Sequence, residues 1–189
     1  MSAPAPGETA PARVMPAPAR VMTVWVPDWP LVAAGVTADT PAAVFVSNRV
    51  VACTAAARAA DVRRHMRRRE AQARCPSLQV LDRDVERDAR AFEPIVQALE
   101  AFTPRVEVTR PGRCAFPTLG PSRYFGGDRA LADQIVEAVR VVIDEKVGVP
   151  VPVMVGVADG PFAAEHAART AYVAAQRGDP PVWIVEPGA

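Results

Sequence analysis

The chain switches between two hydrophobic periods, and each switch marks an element. Val106, Val108, Cys114 and Phe116 stand at even spacing on either side of Arg110-Pro111-Gly112-Arg113. Alternation flanking a Pro-Gly step predicts a β-hairpin, with strands over Val106–Thr109 and Arg113–Phe116 that are expected to be central to a sheet. Thr40–Cys53 predicts a second hairpin, with strands over Ala43–Val46 and Arg49–Cys53 about a Ser47-Asn48 turn. Met22–Val26 is a short β-rich run stopped by Pro27-Asp28-Trp29-Pro30, and Leu78–Leu81 reads as a strand returning to the main sheet. Val151–Val157 has no polar interruption, as expected of a strand covered on both faces. Val182–Val185 reads as a closing strand.

Four stretches carry a helical signal. Thr54–Arg74 is rich in strong helix formers and ends at Cys75-Pro76. Asp84–Phe102 places Val85, Ala89, Phe92, Val96 and Leu99 on one stripe, with Pro94 expected to kink or split the helix. Asp128 reads as the N-cap of a long helix with a buried stripe of Leu131, Ile135, Val139 and Val142. Asp159-Gly160-Pro161 opens a last helix, with Pro161 where its missing N–H costs nothing. In order, these elements predict an α+β fold: a ferredoxin-like split βαβ sheet carrying a small basic helical insertion.

Composition adds limits. At 189 residues, half of them hydrophobic and with a net charge of +1, the chain suits one ordinary domain and has no global polyelectrolyte character. Residues 1–20 are Pro/Ala-rich without an apolar period and are expected to be disordered. No apolar run approaches a membrane span and no signal pattern opens the chain, so a cytoplasmic protein is expected. Cys53, Cys75 and Cys114 are widely spaced and read as buried free thiols, with no zinc site. Charge concentrates in one place: arginines 58, 63, 64, 67, 68, 69 and 74 face only Asp61 and Glu70. Guanidinium groups in such a run neutralise nucleic-acid phosphates without reading sequence, or else form a solvated helix face.

The frame Thr103-Pro104-Arg105-Val106-Glu107, followed by Tyr124-Phe125-Gly126, resembles the palm of the Y-family (UmuC-type) translesion DNA polymerases. In that family a Ser-x-Asp-Glu step in the hairpin supplies carboxylates to the catalytic metal site. The same step falls here on Arg110-Pro111-Gly112-Arg113, so Gly112 and Arg113 occupy the carboxylate positions. The family's first strand ends in another metal-ligating Asp. That position falls on Pro27, with Asp28 one residue late and expected to point away as a turn residue. The family's fingers signature, Tyr-x-Ala-Arg then Gly-Val, reads here Ala55-Ala56-Ala57-Arg58, then Asp61-Val62. Arg58 keeps the triphosphate-gripping arginine and is the nucleotide-binding candidate, while its partner tyrosine has become Ala55. Gly156-Val157 matches a further motif, but its triphosphate-contacting lysine falls on Glu165, read with His166 as ordinary helix surface.

The resemblance is closest to the catalytically degenerate ImuB branch. It implies a palm-like domain over 21–38 and 82–189 and a fingers-like insertion over 39–81, with thumb and little finger not represented. Polymerase chemistry uses two divalent cations held by oxygen ligands, and Pro27, Gly112 and Arg113 offer no side-chain oxygen. The implied role is a non-catalytic scaffold in DNA repair and translesion synthesis during SOS mutagenesis, without cofactor or metal. Its implied partners are DNA, bound weakly and non-specifically through Arg63, Arg64, Arg67, Arg68, Arg69 and Arg74, and an error-prone DnaE-type polymerase with accessory mutasome proteins. Two alternatives stand beside it: an active polymerase with displaced ligands such as Asp28 and Glu107, and a ferredoxin-like interaction module without polymerase ancestry.

Overall fold

The structure, a computed structural model, describes residues 19–188. The chain runs β1 (Arg20–Trp25), α1 (Trp29–Val32), β2 (Ala42–Val46), β3 (Arg49–Cys53), α2 (Ala55–Ala59), α3 (Arg68–Arg74) and β4 (Gln79–Asp82). It continues with α4 (Val85–Glu100), β5 (Glu107–Arg110), β6 (Arg113–Pro117), α5 (Leu119–Phe125) and α6 (Asp128–Lys146), then β7 (Met154–Asp159), α7 (Pro161–Ala175) and β8 (Val182–Ile184). The expected disorder of 1–20 lies outside the described residues for 1–18. Arg20, by contrast, opens β1, and its guanidinium pairs with Asp128 at 2.6 Å and Asp159 at 3.2 Å.

Among the described residues eight strands form two sheets. The larger has the order β5-β6-β1-β7-β8. Its four consecutive strands β7-β1-β6-β5 are antiparallel and have the predicted ferredoxin-like arrangement, and β8 adds a parallel edge. The hairpin β5–β6 forms as its Pro-Gly turn predicts, but β5 is an edge strand; β1 is central. Strand alternation divides the faces. Met22, Val24, Cys114, Phe116, Val155 and Val157 point into the main core with Phe92, Ile95 and Leu99 of α4 and Leu131, Ile135, Val139 and Ile143 of α6. The opposite face carries α7, whose Ala164, Ala167, Ala168 and Ala171 are all buried. Gly156 of β7 allows that approach: a Cβ there would lie 2.1 Å from the backbone nitrogen of Ala168.

The smaller sheet has the order β3-β2-β4. Ser47 and Asn48 take φ of 47° and 63°, as a two-residue hairpin turn requires. One face packs Ala43, Phe45, Val50 and Cys53 on Ala57 and Ala71 of the short helices; the other packs Ala42, Val44 and Ala52 on Leu31. β4 was expected to return to the main sheet, but it pairs in parallel with β2.

Other expectations change for local reasons. The arginine-rich stretch is two short helices because Asp61 and His65 adopt positive φ, and residues 65–68 bond along β3 and its turn instead, through His65 N–H to the Val50 carbonyl and Arg68 N–H to the Asn48 carbonyl. Arg67 is extended. α4 continues unbroken past Pro94, and its buried line is Asp88, Phe92, Ile95 and Leu99, with Val85 and Ala89 exposed. The N-cap of α6 is Gly127, which frees the Asp128 carboxylate for Arg20. All three cysteines are free and buried, and burial pushes the Cys114 thiol up to about 12. Among the described residues no helix is long and apolar enough to cross a membrane.

Candidate functional site

The α7 side of the large sheet meets the small sheet in a cleft, and Pro27, Asp28, Arg58, Arg64 and Gly112, singled out in the sequence, line its walls. Its floor begins where β1 ends. Val26 N–H donates to the Gly112 carbonyl at 2.8 Å, tying the β5–β6 turn to the end of β1. Gly112 has φ of +88°, and a Cβ on it would lie 2.3 Å from Trp29 Cβ. Trp29 cannot yield: it is buried, its indole N–H donates to the Asp88 carbonyl at 2.8 Å, and it packs edge-on against Phe92. The turn therefore admits no side chain at 112, and no carboxylate.

Arg113 pairs in register with Trp25, and both face α7. Its side chain is 7% exposed and forms an ion pair with Glu165 of α7, with its guanidinium 5.4 Å from the centre of the Trp25 ring. Glu165 also accepts from Arg169 at 2.7 Å. Burial pushes the Glu165 carboxyl upward, but hydrogen bonds and charge from Arg113 and Arg169 outweigh it and hold the group below its usual range. Glu165 is thus more than the ordinary helix surface expected for it, whereas His166 is exposed as expected. The family resemblance calls for an acid on the hairpin and a base on the helix; here the signs are exchanged.

Asp28 also departs from expectation. The strand rule that pointed it away does not apply, because β1 stops at Trp25 and Asp28 has φ of 51°. Its carboxylate turns into the cleft and accepts from Arg58 at 2.6 Å. Arg58 also donates to the Cys53 carbonyl and to the Tyr172 hydroxyl, the latter at 3.3 Å. Burial alone would lower its pKa, but Asp28 more than compensates and raises it. Tyr172 of α7 thus gives Arg58 the phenolic partner that Ala55 cannot, and its ring stands 5.4 Å from Trp25. The sequence offered no signal for this, since Tyr172 lies 114 residues from Arg58. As placed, Arg58 is engaged on three sides.

The remaining arginines do not form one surface. Arg63 pairs with Asp61 at 2.7 Å, Arg68 with Asp82 at 3.3 Å, and Arg74 with Glu70 at 3.4 Å. Arg68 also lies over the Phe45 ring. Arg64, Arg67 and Arg69 are exposed, and none has an acidic partner among the described residues. Arg64 lines the cleft, together with Arg83 and Arg110. Glu107 lies on a different depression, with Val21, Arg105 and Pro161, so Asp28 and Glu107 are not brought together. Among the described residues no three His, Cys, Asp or Glu side chains converge as a metal-holding group. A pair of hard divalent ions does not fit this donor set, because the hairpin presents a blocked glycine and a buried cation.

Sequence reasoning missed one further anchor. Asp88 is fully buried on α4, with Arg83 Nε at 2.9 Å and Arg87 at 2.7 Å, and Arg87 also donates to the Pro30 carbonyl. This node joins the end of β4 to α4 and α1, and so sets the small sheet against the large one. An acid at a helix position between Val85 and Phe92 looks like ordinary surface in sequence.

Residues 30–169 match the model of the IMS family, described as the impB/mucB/samB family. Among solved structures the chain is similar to a Dbh ternary complex, with a TM-score of 0.65 at 16% identity, covering 89% of this chain and 48% of that one. A Y-family DNA polymerase chimera of Dbh and Dpo4 matches at the same TM-score and identity, over 89% of this chain and 49% of that one. An insertion ternary complex of Dbh DNA polymerase matches at 0.65 and 16%, over 88% and 48%. The chain spans about half the length of these structures. No curated protein matches the sequence.

Proposed function

The chain belongs to the impB/mucB/samB family, and from that premise we propose that it is a polymerase-like scaffold of translesion DNA synthesis, of the ImuB kind, that performs no nucleotidyl transfer itself. One observation carries this reading. Where the resemblance calls for two hairpin carboxylates, Gly112 has no room for a side chain and Arg113 is a buried cation that shares Glu165 with Arg169. Two-metal catalysis needs ions about 3.5–4 Å apart between attacking and leaving oxygens. A buried guanidinium at that point opposes them.

On this reading the large sheet with its helices is the palm-like unit (21–38 and 82–189), and 39–81 is the fingers-like insertion. The small sheet and its two short helices, contiguous in sequence within 42–82 and with a core cluster of their own, support that division. The family match sets aside the module without polymerase ancestry. The proposed partners are DNA, held through backbone phosphates, and an error-prone DnaE-type polymerase with its accessory proteins. Among the arginines at 63, 64, 67, 68, 69 and 74, the exposed Arg67 and Arg69 are the most available to phosphate on the outer surface.

Primer extension tests the reading. The purified protein should not extend a primed template with Mg²⁺ or Mn²⁺, and should bind single-stranded DNA more weakly than ~10⁻⁶ M at physiological salt. The log–log salt slope should be about −0.7 per phosphate contact, and Arg67→Ala with Arg69→Ala should flatten it. Template-dependent extension that Asp28→Ala abolishes would overturn the proposal.

A further inference from the structure

The cleft between the β5–β6 turn and the loop joining α2 to α3 is a pocket of about 80 Å³ lined by Arg64, Arg83 and Arg110, by Pro111 and Gly112, and by Trp25 and Trp29. Its one carboxylate, Asp28, is paired with Arg58. Arg83 is paired in part with Asp88. Arg64 and Arg110 have no acidic partner among the described residues. Behind them, the Arg113 Nε is buried without a hydrogen-bond acceptor, while the end of that guanidinium meets Glu165.

The cations crowd one another. Desolvation, then the charges of Arg113 and Arg64, lower the pKa of Arg110, with Arg169 adding to the effect and Glu165 opposing it. Guanidinium groups do not relieve such crowding by losing a proton. An anion between them relieves it, and the arginine fork matches a phosphate oxygen pair in geometry.

We propose that this cleft is a metal-independent phosphate site, with Arg64 from the small-sheet unit and Arg110 from the hairpin as its principal ligands. Arg83 supplies a further fork from the end of β4, and Arg113 supplies positive potential from below. The anion thereby occupies a cleft that divalent ions do not fit, and it bridges the two sheets. This inference rests on the scaffold reading only for the family position of the cleft; its chemistry stands on the residues. The phosphoryl group comes either from a free oligophosphate or from a nucleic-acid backbone.

The test uses inorganic pyrophosphate, titrated calorimetrically into the full chain in the presence of EDTA. Saturable binding is expected, weakened at least about tenfold by Arg64→Ala with Arg110→Ala, as loss of two charge-assisted contacts requires. Both positions are exposed, so the fold should persist, and a thermal melt checks this. The single exposed variant Arg64→Glu should abolish binding, and Arg140→Ala on α6 should leave it unchanged. Single-stranded DNA that displaces pyrophosphate identifies a backbone ligand; DNA that does not displace it identifies a free oligophosphate. No saturable binding, binding only with Mg²⁺, or binding unchanged in the Arg64/Arg110 double variant would overturn the site. Primer extension on the same preparation reports separately on the scaffold reading, so either can fail alone.

Discussion

Gly112 shows how one backbone position decides what a site can hold. Its positive φ satisfies the tight turn, and the missing Cβ leaves room for Trp29. Gly112→Asp should therefore fail to restore a carboxylate site. The turn strain and the clash with an immobile indole should together cost about 2–4 kcal/mol, read as a lower denaturant midpoint. The neighbouring ion pair has a different signature. Replacing Glu165 with Gln leaves buried Arg113 without its acid. The loss at neutral pH should be about 1–2 kcal/mol, below the range for fully buried pairs because Glu165 is 34% open to water. The folded carboxyl is held below its usual value of 4.5, so its stabilisation is present above that value and fades as pH falls through the folded pKa. Urea titrations of both proteins should differ at pH 7 and converge under acid; a constant gap would contradict the pairing.

At the scale of elements, α7 and β7 show how composition sets distance. The alanine face of α7 and Gly156 bring a helix backbone against a strand backbone, and this carries Glu165, Arg169 and Tyr172 over the large sheet. Gly156→Ala inserts a Cβ 2.1 Å from one helix backbone atom and 2.3 Å from another, neither of which can rotate aside. It should cost about 3 kcal/mol, at the upper end for overpacking, and it should loosen the Arg113–Glu165 pair. A variant as stable as the parent would show that α7 can lift away. Local pattern identified most of these elements. The turns at Ser47-Asn48 and Pro111-Gly112 were legible because their backbone angles follow from two residues. The α6 stripe was legible through Leu131, Ile135 and Val139, which face one core. The splitting of the arginine-rich stretch was not, because helix propensity competed with an open edge of β3 that only the folded small sheet presents.

For the whole molecule, the decisive contact is the Asp88 node between the two sheets. Removing its charge by Asp88→Asn leaves Arg83 and Arg87 without their acid, but both reach water, so the loss should be about 2–3 kcal/mol, short of the full buried-pair penalty. The effect should be regional. Hydrogen exchange is expected to show amides of β2, β3 and β4 losing protection ahead of those in β1, β6 and β7. Uniform loss of protection would mean that the two sheets unfold as one unit and that the node is not their hinge. The same relation governs the cleft, since Arg64 comes from one side of the node and Arg110 from the other.

The sequence by itself determined most of the strands, the long helices, the ferredoxin-like order and both hairpin turns, because each depends on residue identity or on spacing within a few positions. Tertiary structure alone decided that β4 joins the small sheet, that Asp28 closes on Arg58 and Tyr172, that Arg113 finds Glu165, and that Arg64 faces Arg110. Those pairs span tens of residues of chain. Their proximity comes from two sheets packing about Asp88 and from a helix lying close on Gly156, and no local periodicity encodes either distance.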